Sequence, residues 1–419
     1  MIQEKVAIVG QGYVGLPIAM RAVEVGFDVV GLDVDETRVE NLQAGVSFVE
    51  DVPSEQLQEA IATGRYRATT DAADLAHFGY TIITVPTPLK DTVPDLSFIE
   101  ESAAEVAPYI EDGCTVILES TTYPGTTEQL LVPLLEQGSG LRAGVDFHVG
   151  YSPERIDPGN KTFNFQNTPK VVSGINASSL KMVACLYDRL VDRTVPVTSP
   201  AEAELTKLLE NTFRHVNIAL VNELAVFAHD LGIDVWEAIS AAATKPFGFM
   251  PFTPGPGVGG HCLPIDPSYL SWQVRRSLGR NFRFVELAND VNDHMPDYVV
   301  QRVASGLNSQ GKSLKGSTIL LVGLAYKKNT GDIRESPALR IAELLAAQGA
   351  DLQGVDSYVE SHKVPGFLTL VELTEQSAAA ADAIVVLTDH DYLDYTIVEN
   401  ARGYVLDTRH RLVGTRETL

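Results

Sequence analysis

The stretch KVAIVGQGYVGLPIAMRAVEVGFDVVGLDVD, residues 5–35, decides the fold of the N-terminal part of the chain. An apolar run over residues 6–9 predicts a strand, a helical pattern then extends to Val25, and a second apolar run ends at Asp33. The pattern Gly-x-Gly-x-x-Gly occupies residues 10–15, between the first strand and the helix. Glycines at this spacing are weak evidence alone, but with this context and an acid about 20 residues on they are typical of a dinucleotide-binding Rossmann unit.

The three glycines and the acid have different expected roles. Gly10 permits the turn, Gly12 lets the backbone approach a pyrophosphate, and Gly15 lets the helix pack closely on the strand. Asp33 would accept hydrogen bonds from ribose hydroxyls and repel a 2′-phosphate, which favours NAD over NADP. Arg38 leaves the NADP interpretation open, because a cation near this acid could bind a 2′-phosphate.

The composition is that of a globular protein and excludes several classes of function. A chain of 419 residues is too long for one ordinary core, so two or three domains are expected. The formal net charge of -23 argues against nucleic acid as a partner, because such binding needs basic surfaces. Without a membrane-length apolar run or a signal peptide, the chain is expected to be cytoplasmic and not to bind a membrane. No cluster has metal-ligand spacing, so no metal site is expected.

Two further apolar strands end in segments that carry threonines. TIITVPTP at residues 81–88 runs into Pro-Thr-Pro with Thr87 at its centre, and TVILESTTYPGTTE at residues 115–128 ends its strand at Thr121 and Thr122. Ligands bind at the carboxyl ends of the strands in doubly wound sheets, so these threonines are candidate contacts. Helix capping or turn formation is the alternative explanation for each.

A long helix is predicted over residues 201–232. Lys207, Asn211 and Arg214 are spaced i, i+4 and i+7 and therefore lie on one face. This face is either functional or an ordinary solvated surface, and the length of the helix suits a subunit interface. The apolar residues expected to bury the neighbouring faces are Leu205, Leu208, Leu209 and Phe213.

From Ser317 the pattern of strand, glycine turn, helix and strand returns, with Gly323 at the turn and Asp356 at the end of the second strand. AADAIVVLTDH at residues 380–390 then resembles the earlier segment AHFGYTIITVPTP at residues 76–88. The expected fold is α/β, with two Rossmann-like doubly wound parallel-sheet domains joined by a central helical domain containing the long helix. The expected domains are residues 1–200, 201–300 and 301–419.

GLNSQGKS, residues 306–313, matches the P-loop pattern and includes Lys312. A P-loop follows a strand and begins a helix, whereas this segment follows a helical pattern and precedes the strand near Ser317. We therefore interpret the match as an accident in an interdomain linker.

GPGVGGHCLPID, residues 255–266, places one of the three cysteines in a glycine-rich loop. Cys114 and Cys185 lie in apolar segments typical of packing. Glycines around Cys262 allow unusual backbone angles and close approach of a ligand, which makes it a candidate nucleophile, although an incidental cysteine in a tight turn is the alternative. His261 would point away from Cys262 in an extended segment, so no Cys–His dyad is expected.

Seven blocks of the chain, in the same order and across its whole length, resemble the UDP-glucose/GDP-mannose dehydrogenase family. They are the glycine turn, ESTTYPGTTE, SPER, KLLENTFR, GPGVGGHCLPID, AYKKNTGDIRESPA and LDTR. These enzymes oxidise carbon 6 of a nucleotide sugar to a carboxylate and reduce two NAD. The resemblance implies that residues 1–200 bind NAD, that residues 201–300 form a catalytic domain and a homodimer or larger homo-oligomer, and that residues 301–419 bind the UDP-sugar.

The resemblance also implies a covalent mechanism. Cys262 would attack the carbon 6 aldehyde to give a thiohemiacetal, whose oxidation leaves a thioester for water to cleave. Lys207 and Asn211 would stabilise oxyanions beside the thiol and lower its pKa. Asp266, four residues after Cys262, would be the base for the hydrolytic water.

Further residues are assigned to the two ligands by the same resemblance. Thr121 and Glu154 would hold or activate the hydrolytic water, while Lys327 and Arg409 would hold the uridine diphosphate. The implied cofactor contacts are Gly10, Gly12, Tyr13, Val14, Gly15, Asp33, Arg38, Thr87, Thr121 and Arg334. The implied substrate contacts are Glu154, Arg155, Ile156, Lys207, Asn211, Arg214, Gly259, Tyr326, Lys327 and Arg409.

The identity of the sugar is the finer question. SPERIDPG and TKPFGFMPFTPGPG resemble the UDP-N-acetylhexosamine branch, whose substrates are UDP-N-acetylglucosamine and UDP-N-acetylmannosamine. No arginine lies between Ala241 and Gly260, where many members supply one to the neighbouring subunit's substrate, and Lys245 is the only cation there. The alternatives are a UDP-glucose 6-dehydrogenase, a two-electron hydroxyacid dehydrogenase, and a nucleotide-sugar sensor, the last disfavoured because all the catalytic candidates are present.

Overall fold

The computed structural model of the chain describes residues 4–49, 51–90, 93–156, 160, 162–260, 263, 265–414 and 417–419. It contains two compact units, Met1–Glu210 and Asn211–Leu419. Their boundary falls inside one long helix. Within the described residues, no helix is long and apolar enough to cross a membrane.

The strands of the first unit form one six-stranded sheet and two small ladders. In chain order they are β1 (Lys5–Val9), β2 (Asp28–Leu32), β3 (Tyr66–Thr69), β4 (Tyr80–Ile83), β5 (Leu89–Lys90), β6 (Val93–Pro94), β7 (Thr115–Leu118), β8 (His148–Tyr151), β9 (Lys170–Val172) and β10 (Thr194–Pro196). The large sheet has the order β3-β2-β1-β4-β7-β8 with all neighbours parallel. The strand order reverses between β1 and β4, which is where doubly wound folds bind ligands.

Helices cover both faces of this sheet. Val6 and Ile8 face one apolar core, and Ala7 and Val9 face the other, because successive side chains of a strand alternate between its faces. Burial on both faces explains why β1 is almost wholly apolar. The helices that precede the long one are α1 (Gly15–Glu24), α2 (Glu36–Gln43), α3 (Ser54–Ala62), α4 (Ser97–Val106), α5 (Val132–Ser139) and α6 (Ala177–Leu190).

The long helix, α7, spans Pro200–Asp230 and confirms the prediction from the sequence. The packing predicted for its apolar residues is correct only for Leu208, which is buried. Leu205, Leu209 and Phe213 are exposed instead, because a helical period shows which residues share a face but not whether that face is covered.

The second unit repeats the α/β arrangement after three further helices. In chain order its elements are α8 (Val235–Ala243), α9 (Asp266–Leu278), α10 (Arg283–Ser309), β11 (Thr318–Val322), α11 (Pro337–Ala347), β12 (Asp351–Val355), β13 (Leu368–Leu370), α12 (Glu375–Ala380), β14 (Ala383–Val386), α13 (Thr396–Glu399), β15 (Tyr404–Asp407) and β16 (Glu417–Thr418). Its sheet has the order β13-β12-β11-β14-β15-β16, again wholly parallel. The predicted fold class, two Rossmann-like sheets joined by a helical region, is confirmed.

The P-loop-like segment has the context that the sequence indicated. Helix α10 ends at Ser309 and β11 begins at Thr318, so the segment forms the end of a helix and precedes a strand. Lys312 forms an ion pair with Asp382 at 2.5 Å. This position differs from that of a P-loop, and the interpretation of the match as an accident stays a prediction.

The two structural cysteines differ from each other. Cys114 is buried, as predicted, and burial raises the pKa of its thiol to about 12. Cys185 is exposed, so its assignment to packing was wrong. The apolar segment SLKMVACLYDRL forms α6, whose buried residues include Val183 and Leu186 but not the cysteine between them.

Candidate active site

The glycine turn after β1 has the geometry that a pyrophosphate requires. Gly10 has a φ of +90°, which a residue with a side chain rarely adopts, and a Cβ on Gly15 would lie 1.8 Å from the carbonyl oxygen of Gly10. A Cβ on Gly12 would meet no protein atom within 4 Å, so this backbone is open to a ligand. Thr84, which the sequence analysis missed, donates its hydroxyl to the Gly10 carbonyl at 2.8 Å and holds the turn. It is the first residue after β4, a position that could have marked it.

Tyr13 and Val14 complete the turn. The Tyr13 ring is exposed and contacts Phe48 edge-on, with ring centroids 6.4 Å apart. Val14 is the N-cap of α1 and packs against the core below the turn. These placements leave Tyr13 on the open side of the turn.

Asp33 lies just after β2 and is 5% exposed. Its carboxylate accepts hydrogen bonds from the backbone N–H of Gln11 at 2.7 Å and from Arg38 at 2.9 and 3.1 Å. The Arg38 guanidinium also stacks 5.2 Å above the Phe48 ring. Open backbone at Gly12 and a fixed acceptor beyond β2 fit NAD, with Asp33 placed to receive the ribose hydroxyls.

The two threonines predicted at strand ends are both partly exposed. Thr87 follows β4 and Thr121 follows β7. The neighbouring Thr122 is fully buried and donates to Thr126, which supports the turn-forming interpretation for that residue. Thr87 and Thr121 thus remain candidate ligand contacts at the carboxyl edge of the sheet.

Glu204, which the sequence analysis missed, ties α7 to the segment that follows β7. Its carboxylate accepts hydrogen bonds from the backbone N–H groups of Gly125 and Thr127 at 2.5 and 2.8 Å and from the Thr127 hydroxyl at 2.7 Å. Burial raises its pKa to about 7 despite these hydrogen bonds. Because Glu204 lies three residues before Lys207, this contact fixes the turn of α7 that carries the lysine.

A buried charged cluster underlies Glu154. Lys170 donates to Glu119 at 2.8 Å and to Glu154 at 3.4 Å, and Tyr187 donates its hydroxyl to Glu119. We refer to Glu119, Glu154, Lys170 and Tyr187 as the Lys170 cluster. Burial alone would raise the pKa of Glu154, because it disfavours the ionised carboxylate. The positive charges of Lys170 and Lys207 together outweigh this effect, so the pKa of Glu154 is lowered. The three added members escaped sequence analysis because they come from β9, α6 and the segment after β7, and only the packing of these distant parts of the chain brings them together.

The residues next to Glu154 are held by hydrogen bonds within the first unit. The backbone N–H groups of Arg155 and Ile156 both donate to the Glu154 carboxylate. Arg155 pairs with Glu210 at 2.5 Å and donates to the Pro169 carbonyl. Lys207 donates to the backbone carbonyl oxygen of Glu154 at 2.6 Å. The structure therefore places Lys207 beside the consecutive residues Glu154, Arg155 and Ile156, and their role as substrate contacts stays a prediction.

Asn211 and Asp266 meet in the second unit. The Asn211 amide donates to the Asp266 carboxylate at 2.5 Å, and both side chains are almost fully buried. Asp266 begins α9, and Pro267 occupies the first turn of that helix. Arg214, one turn after Asn211, is exposed. Contact between a catalytic-type amide and a buried carboxylate was not foreseen for this pair.

The glycine-rich loop before the cysteine is tightly packed. A Cβ on Gly259 would lie 2.7 Å from the Glu335 carbonyl oxygen, and one on Gly260 would lie 2.8 Å from the Tyr326 ring. Asn222 accepts a hydrogen bond from the backbone N–H of Gly255 at 2.9 Å. The glycines are therefore required by close packing, in addition to any ligand. Cys262 and His261 lie outside the described residues, so their predicted roles stay predictions.

The cations expected to hold the diphosphate lie around the start of the second sheet. Tyr326 and Lys327 are half-buried in the segment after β11. The Arg409 guanidinium donates to the Leu387 carbonyl at 2.7 Å, and burial lowers its pKa. Arg334 pairs with Asp332 at 2.6 Å, and its backbone carbonyl accepts the N–H of Gly260 at 3.2 Å. These cations bracket the loop that leads to Cys262.

A second buried pair, also missed, fixes the segment after β11. His390 contacts Asp356 at 2.9 Å with both side chains fully buried, and it accepts the backbone N–H of Asn329 at 2.9 Å through its other ring nitrogen. Asp356 also accepts the backbone N–H groups of Leu324 and Ala325 at 2.8 and 3.0 Å. The ends of the segment that carries Tyr326 and Lys327 are thus held by one carboxylate and one imidazole.

Comparison with known proteins matches these two units and the region joining them to one family. The NAD binding domain of the UDP-glucose/GDP-mannose dehydrogenase family matches residues 4–191, its central domain residues 201–294, and its UDP binding domain residues 320–414. Together these matches cover most of the chain. The glycine turn lies in the first match, the Asn211–Asp266 pair in the second, and Lys327 and Arg409 in the third.

Individual relatives match over nearly their whole length. A UDP-N-acetyl-D-mannosamine dehydrogenase of Pyrococcus horikoshii is 36% identical over 387 residues, covering 92% of this chain and 89% of the relative. A UDP-N-acetyl-D-glucosamine 6-dehydrogenase of Salmonella typhi is 35% identical over 408 residues, covering 96% and 94%. The solved structure of a UDP-D-ManNAc dehydrogenase from Pyrococcus horikoshii superposes with a TM-score of 0.88 at 34% identity, covering 99% and 98%. This chain therefore belongs to the UDP-glucose/GDP-mannose dehydrogenase family and is an NAD-dependent nucleotide-sugar 6-dehydrogenase.

Proposed function

We propose that the enzyme oxidises carbon 6 of a UDP-N-acetylhexosamine, UDP-N-acetylglucosamine or UDP-N-acetylmannosamine, to the carboxylate, supplying a precursor for polysaccharide or glycan synthesis. The names of the relatives support this sugar class, and so do the segments SPERIDPG and TKPFGFMPFTPGPG. The overall reaction converts one alcohol, two NAD and one water to one carboxylate, two NADH and three protons. The observation that carries the proposal is the buried contact between Asn211 and Asp266. Asp266 lies four residues after Cys262 in the sequence.

The four-electron stoichiometry requires a nucleophile from the chain. Bound at the glycine turn, NAD would supply the hydride acceptor for each of the two oxidations of carbon 6. Between them, the Cys262 thiolate adds to the aldehyde and forms a thiohemiacetal, whose oxidation leaves a thioester on Cys262. Water then cleaves the thioester and releases the free thiol and the uronic acid. A hydroxyl in place of this thiol would be a far weaker nucleophile.

Lys207 and Asn211 have different expected effects on the developing charge. The Lys207 ammonium is fixed by the Glu154 carbonyl, which leaves its remaining N–H groups for an oxyanion. Asn211 donates one amide N–H to Asp266 and retains the second for the same purpose. Both side chains come from one turn of α7, so their relative positions are set by the helix.

Asp266 is the proposed base for the hydrolytic water. Its carboxylate is buried and held by the Asn211 amide, an arrangement that fixes its direction. Glu154 and Thr121 are proposed to hold or activate the same water. Arg409 and Lys327 are proposed to hold the diphosphate. The charges of Asp389 and Asp407 favour the ionised form of the Arg409 guanidinium, although burial lowers its pKa. A bound anion would add a further partner of opposite charge.

The alternatives are separated by counting NADH per sugar. The proposal predicts two NADH per molecule of UDP-N-acetylglucosamine or UDP-N-acetylmannosamine, with lower kcat/KM for UDP-glucose. A two-electron hydroxyacid dehydrogenase would release one, and a preference for UDP-glucose would overturn the choice of sugar. Cys262→Ser should abolish carboxylate formation while both ligands still bind.

The order of events is tested by Asp266→Asn, which keeps the shape of the side chain but cannot accept a proton. A rapid burst of two NADH per active site followed by slow turnover is expected, with the sugar acyl group found on Cys262 by mass spectrometry. A variant without a burst, or with one NADH and no adduct, would assign the hydrolytic role to Glu154 or Thr121 instead.

We further propose that α7 forms a homodimer interface. An apolar stripe runs along the helix, roughly opposite Lys207 and Asn211 at about 100° per residue, and its members are exposed. Leu224→Glu is expected to yield monomers by light scattering, whereas the exposed neighbour Glu223→Ala should not. The stripe consists of Leu205, Leu209, Phe213, Leu220, Leu224, Phe227 and Leu231.

A further inference from the structure

The Lys170 cluster contains more charge than a structural role needs. Lys170 and Glu119 are nearly inaccessible to solvent, and Glu154 is 8% exposed. Burying ions costs several kcal/mol each unless they are paired and hydrogen-bonded, and replacing such a group by apolar residues is often neutral or stabilising. A cluster of two carboxylates and one ammonium is therefore a weak way to stabilise a fold.

Resting on the proposed function, we propose that Lys170 is a positioning residue that holds the Glu154 carboxylate ionised and directed for the hydrolytic step, with Glu119 as its second hydrogen-bond acceptor. Glu154 is the only member of the cluster assigned to substrate or water. Lys170 acts through it and has no contact of its own with the reacting atoms. Glu119 acts one step further away, through Lys170.

The hydrogen bonds of Glu154 show how the direction is set. One carboxylate oxygen accepts the backbone N–H groups of Arg155 and Ile156, and the other lies 3.4 Å from the Lys170 ammonium. The two oxygens are thus held from different sides. The Glu154 backbone carbonyl is held separately by Lys207. Rotation of the carboxylate would break contacts on both sides at once.

The surroundings of Lys170 keep its charge aimed at the two acids. Its ammonium lies 5.3 Å from the centroid of the Phe165 ring and 5.4 Å from that of Tyr187, so aromatic faces flank it. Among the described residues, its three N–H groups have Glu119 and Glu154 as acceptors. Burial would lower the pKa of Lys170, but the two carboxylates outweigh it and raise the pKa.

The two acids divide the protons unequally. Burial and the charge of Glu154 raise the pKa of Glu119, whereas Lys170 and Lys207 lower that of Glu154. The charged groups that face Glu154 are Glu119 after β7, Lys170 on β9 and Lys207 on α7. Tyr187 on α6 reaches the cluster by its hydrogen bond to Glu119. The Arg155 guanidinium is directed to Glu210 instead. The proposal therefore assigns the first proton that the cluster takes up to Glu119 and keeps Glu154 ionised.

Removing the Lys170 ammonium should make Glu154, rather than Glu119, the acid that takes up the proton first. In Lys170→Met two buried carboxylates face each other without a cation, so each is harder to ionise. We expect the acid limb of the kcat–pH profile to move up by about 1–3 pH units, the size expected when a close opposite charge is lost. The KM for NAD should stay near the wild-type value, because the glycine turn is untouched.

Three companion variants separate charge from folding. Glu119→Gln should keep the acid limb at the wild-type pH, because a neutral side chain replaces the acid that already takes the proton. Glu119→Gln/Lys170→Met should lie between the wild type and Lys170→Met, because the like charge is removed together with the cation. Lys5→Met is the matched control: Lys5 donates to the Asp74 and Ala76 carbonyls in the same unit, and its loss should not move the limb.

The experiment measures kcat from pH 3.5 to 9 with saturating NAD and the UDP-sugar that the wild type turns over best, because the lowered pKa of Glu154 puts the wild-type acid limb below pH 4.5. The order of acid limbs given above supports the proposal, and identical limbs for the wild type and Lys170→Met overturn it. If Lys170→Met does not fold, the double variant is compared with Glu119→Gln, since the two differ only at Lys170, and equal limbs again overturn the proposal. One NADH per sugar from the wild type would instead overturn the proposed function, which makes the two failures distinguishable.

Discussion

The two sheets share one strand order but use their first turn differently. In the first sheet, α1 begins at Gly15, directly after the glycine turn, and the backbone at Gly12 is open. In the second sheet, Gly323 occupies the position of Gly10, but α11 begins only at Pro337. A Cβ on Gly323 would lie 2.1 Å from the Thr388 carbonyl oxygen, whereas one on Gly10 would lie 3.1 Å from that of Thr84, so the chain packs more tightly against the second turn. The same topology thus positions the ends of β1 and β11 in their two sheets. The segment that follows each of these strands decides what occupies the space at the turn.

The acids beyond the second strands of the two sheets show the same contrast. Asp33 is held by one backbone N–H of the turn and by Arg38, at the edge where NAD is expected. Asp356 accepts the backbone N–H groups of Leu324, Ala325 and Tyr358 and a hydrogen bond from the His390 ring. The first carboxylate is the one predicted to bind a ligand, and the second organises the segment that carries Lys327.

The largest expected effect tests the tightly packed and open turns directly. Gly323→Ala should destabilise the second unit by about 2–5 kcal/mol, because its φ is +84° and the added Cβ overlaps Thr388. Gly12→Ala should leave stability unchanged but raise the KM for NAD at least roughly tenfold, because its Cβ enters only ligand space. Both tryptophans, Trp236 and Trp272, lie in the second unit, so urea unfolding followed by their fluorescence reports that unit.

A stable Gly323→Ala protein would show that the second turn is not packed as described. Loss of stability in Gly12→Ala would show that the first turn also depends on its own packing. Either result breaks the contrast between the two sheets.

The next effect concerns the two acids. Asp33→Asn should raise the KM for NAD roughly 10- to 100-fold and narrow its advantage over NADP, because hydrogen bonds to a charged group are worth about 1.5–3 kcal/mol. Asp356→Asn should leave the KM for NAD unchanged and raise the KM for the UDP-sugar, because the segment carrying Lys327 loses its anchor. Steady-state kinetics with each substrate varied measures both. A wild-type preference for NADP would favour the interpretation of Arg38 as a phosphate ligand.

The sequence predicted the features that depend on local pattern. The first strand, the glycine turn, Asp33 and the shared face of Lys207 and Asn211 all follow from spacing along the chain. The P-loop match was rejected because the order of helix and strand around it can also be predicted from the local sequence pattern. The domain boundaries, the role of Cys262 and the contributions of the individual site residues stay predictions.

What the sequence could not predict depends on partners distant along the chain. Lys170 and Glu119 are 51 residues apart and meet only because β7, β8 and β9 lie near one another. His390 and Asp356 are 34 residues apart and meet beyond the ends of β14 and β12. The exposure of Leu209 was also missed, because an apolar period is the same for a face buried in a core and for a face left exposed.

A smaller effect distinguishes the units by the sign of their pH dependence. Burial raises the pKa of Glu204 in the first unit to about 7 from 4.5, whereas burial lowers the pKa of His215 in the second unit from 6.5. The contribution of Glu204 is therefore complete below pH 4.5 and is lost as pH rises through about 7. The contribution of His215 has the opposite sign, since protonation of the unfolded chain below pH 6.5 favours unfolding.

Glu204→Gln isolates the first of these contributions, because glutamine does not titrate. The stability of the wild type relative to this variant should fall by on the order of 2 kcal/mol between pH 5 and pH 8. Peptide-resolved hydrogen exchange in the segment around Thr127 measures it, since the first unit contains no tryptophan. A difference that stays constant or rises with pH would contradict the raised pKa.

The smallest expected effect belongs to Lys312, the lysine of the P-loop-like segment before the second sheet. Its ammonium pairs with Asp382, which also accepts the backbone N–H of Thr318 at the start of β11, so it has a structural partner. The pair is partly exposed, and such pairs contribute about 0–1 kcal/mol. Lys312→Ala should therefore lower stability by no more than this and leave kcat and both KM values unchanged.

Calorimetric titration with ATP and Mg²⁺ should show no binding to either protein, because the backbone before β11 lies at the opposite end of the strand from a phosphate-binding turn. ATP binding by the wild type that Lys312→Ala loses would show that the motif functions out of its usual context, and that topology alone does not decide which turns of this chain accept phosphate.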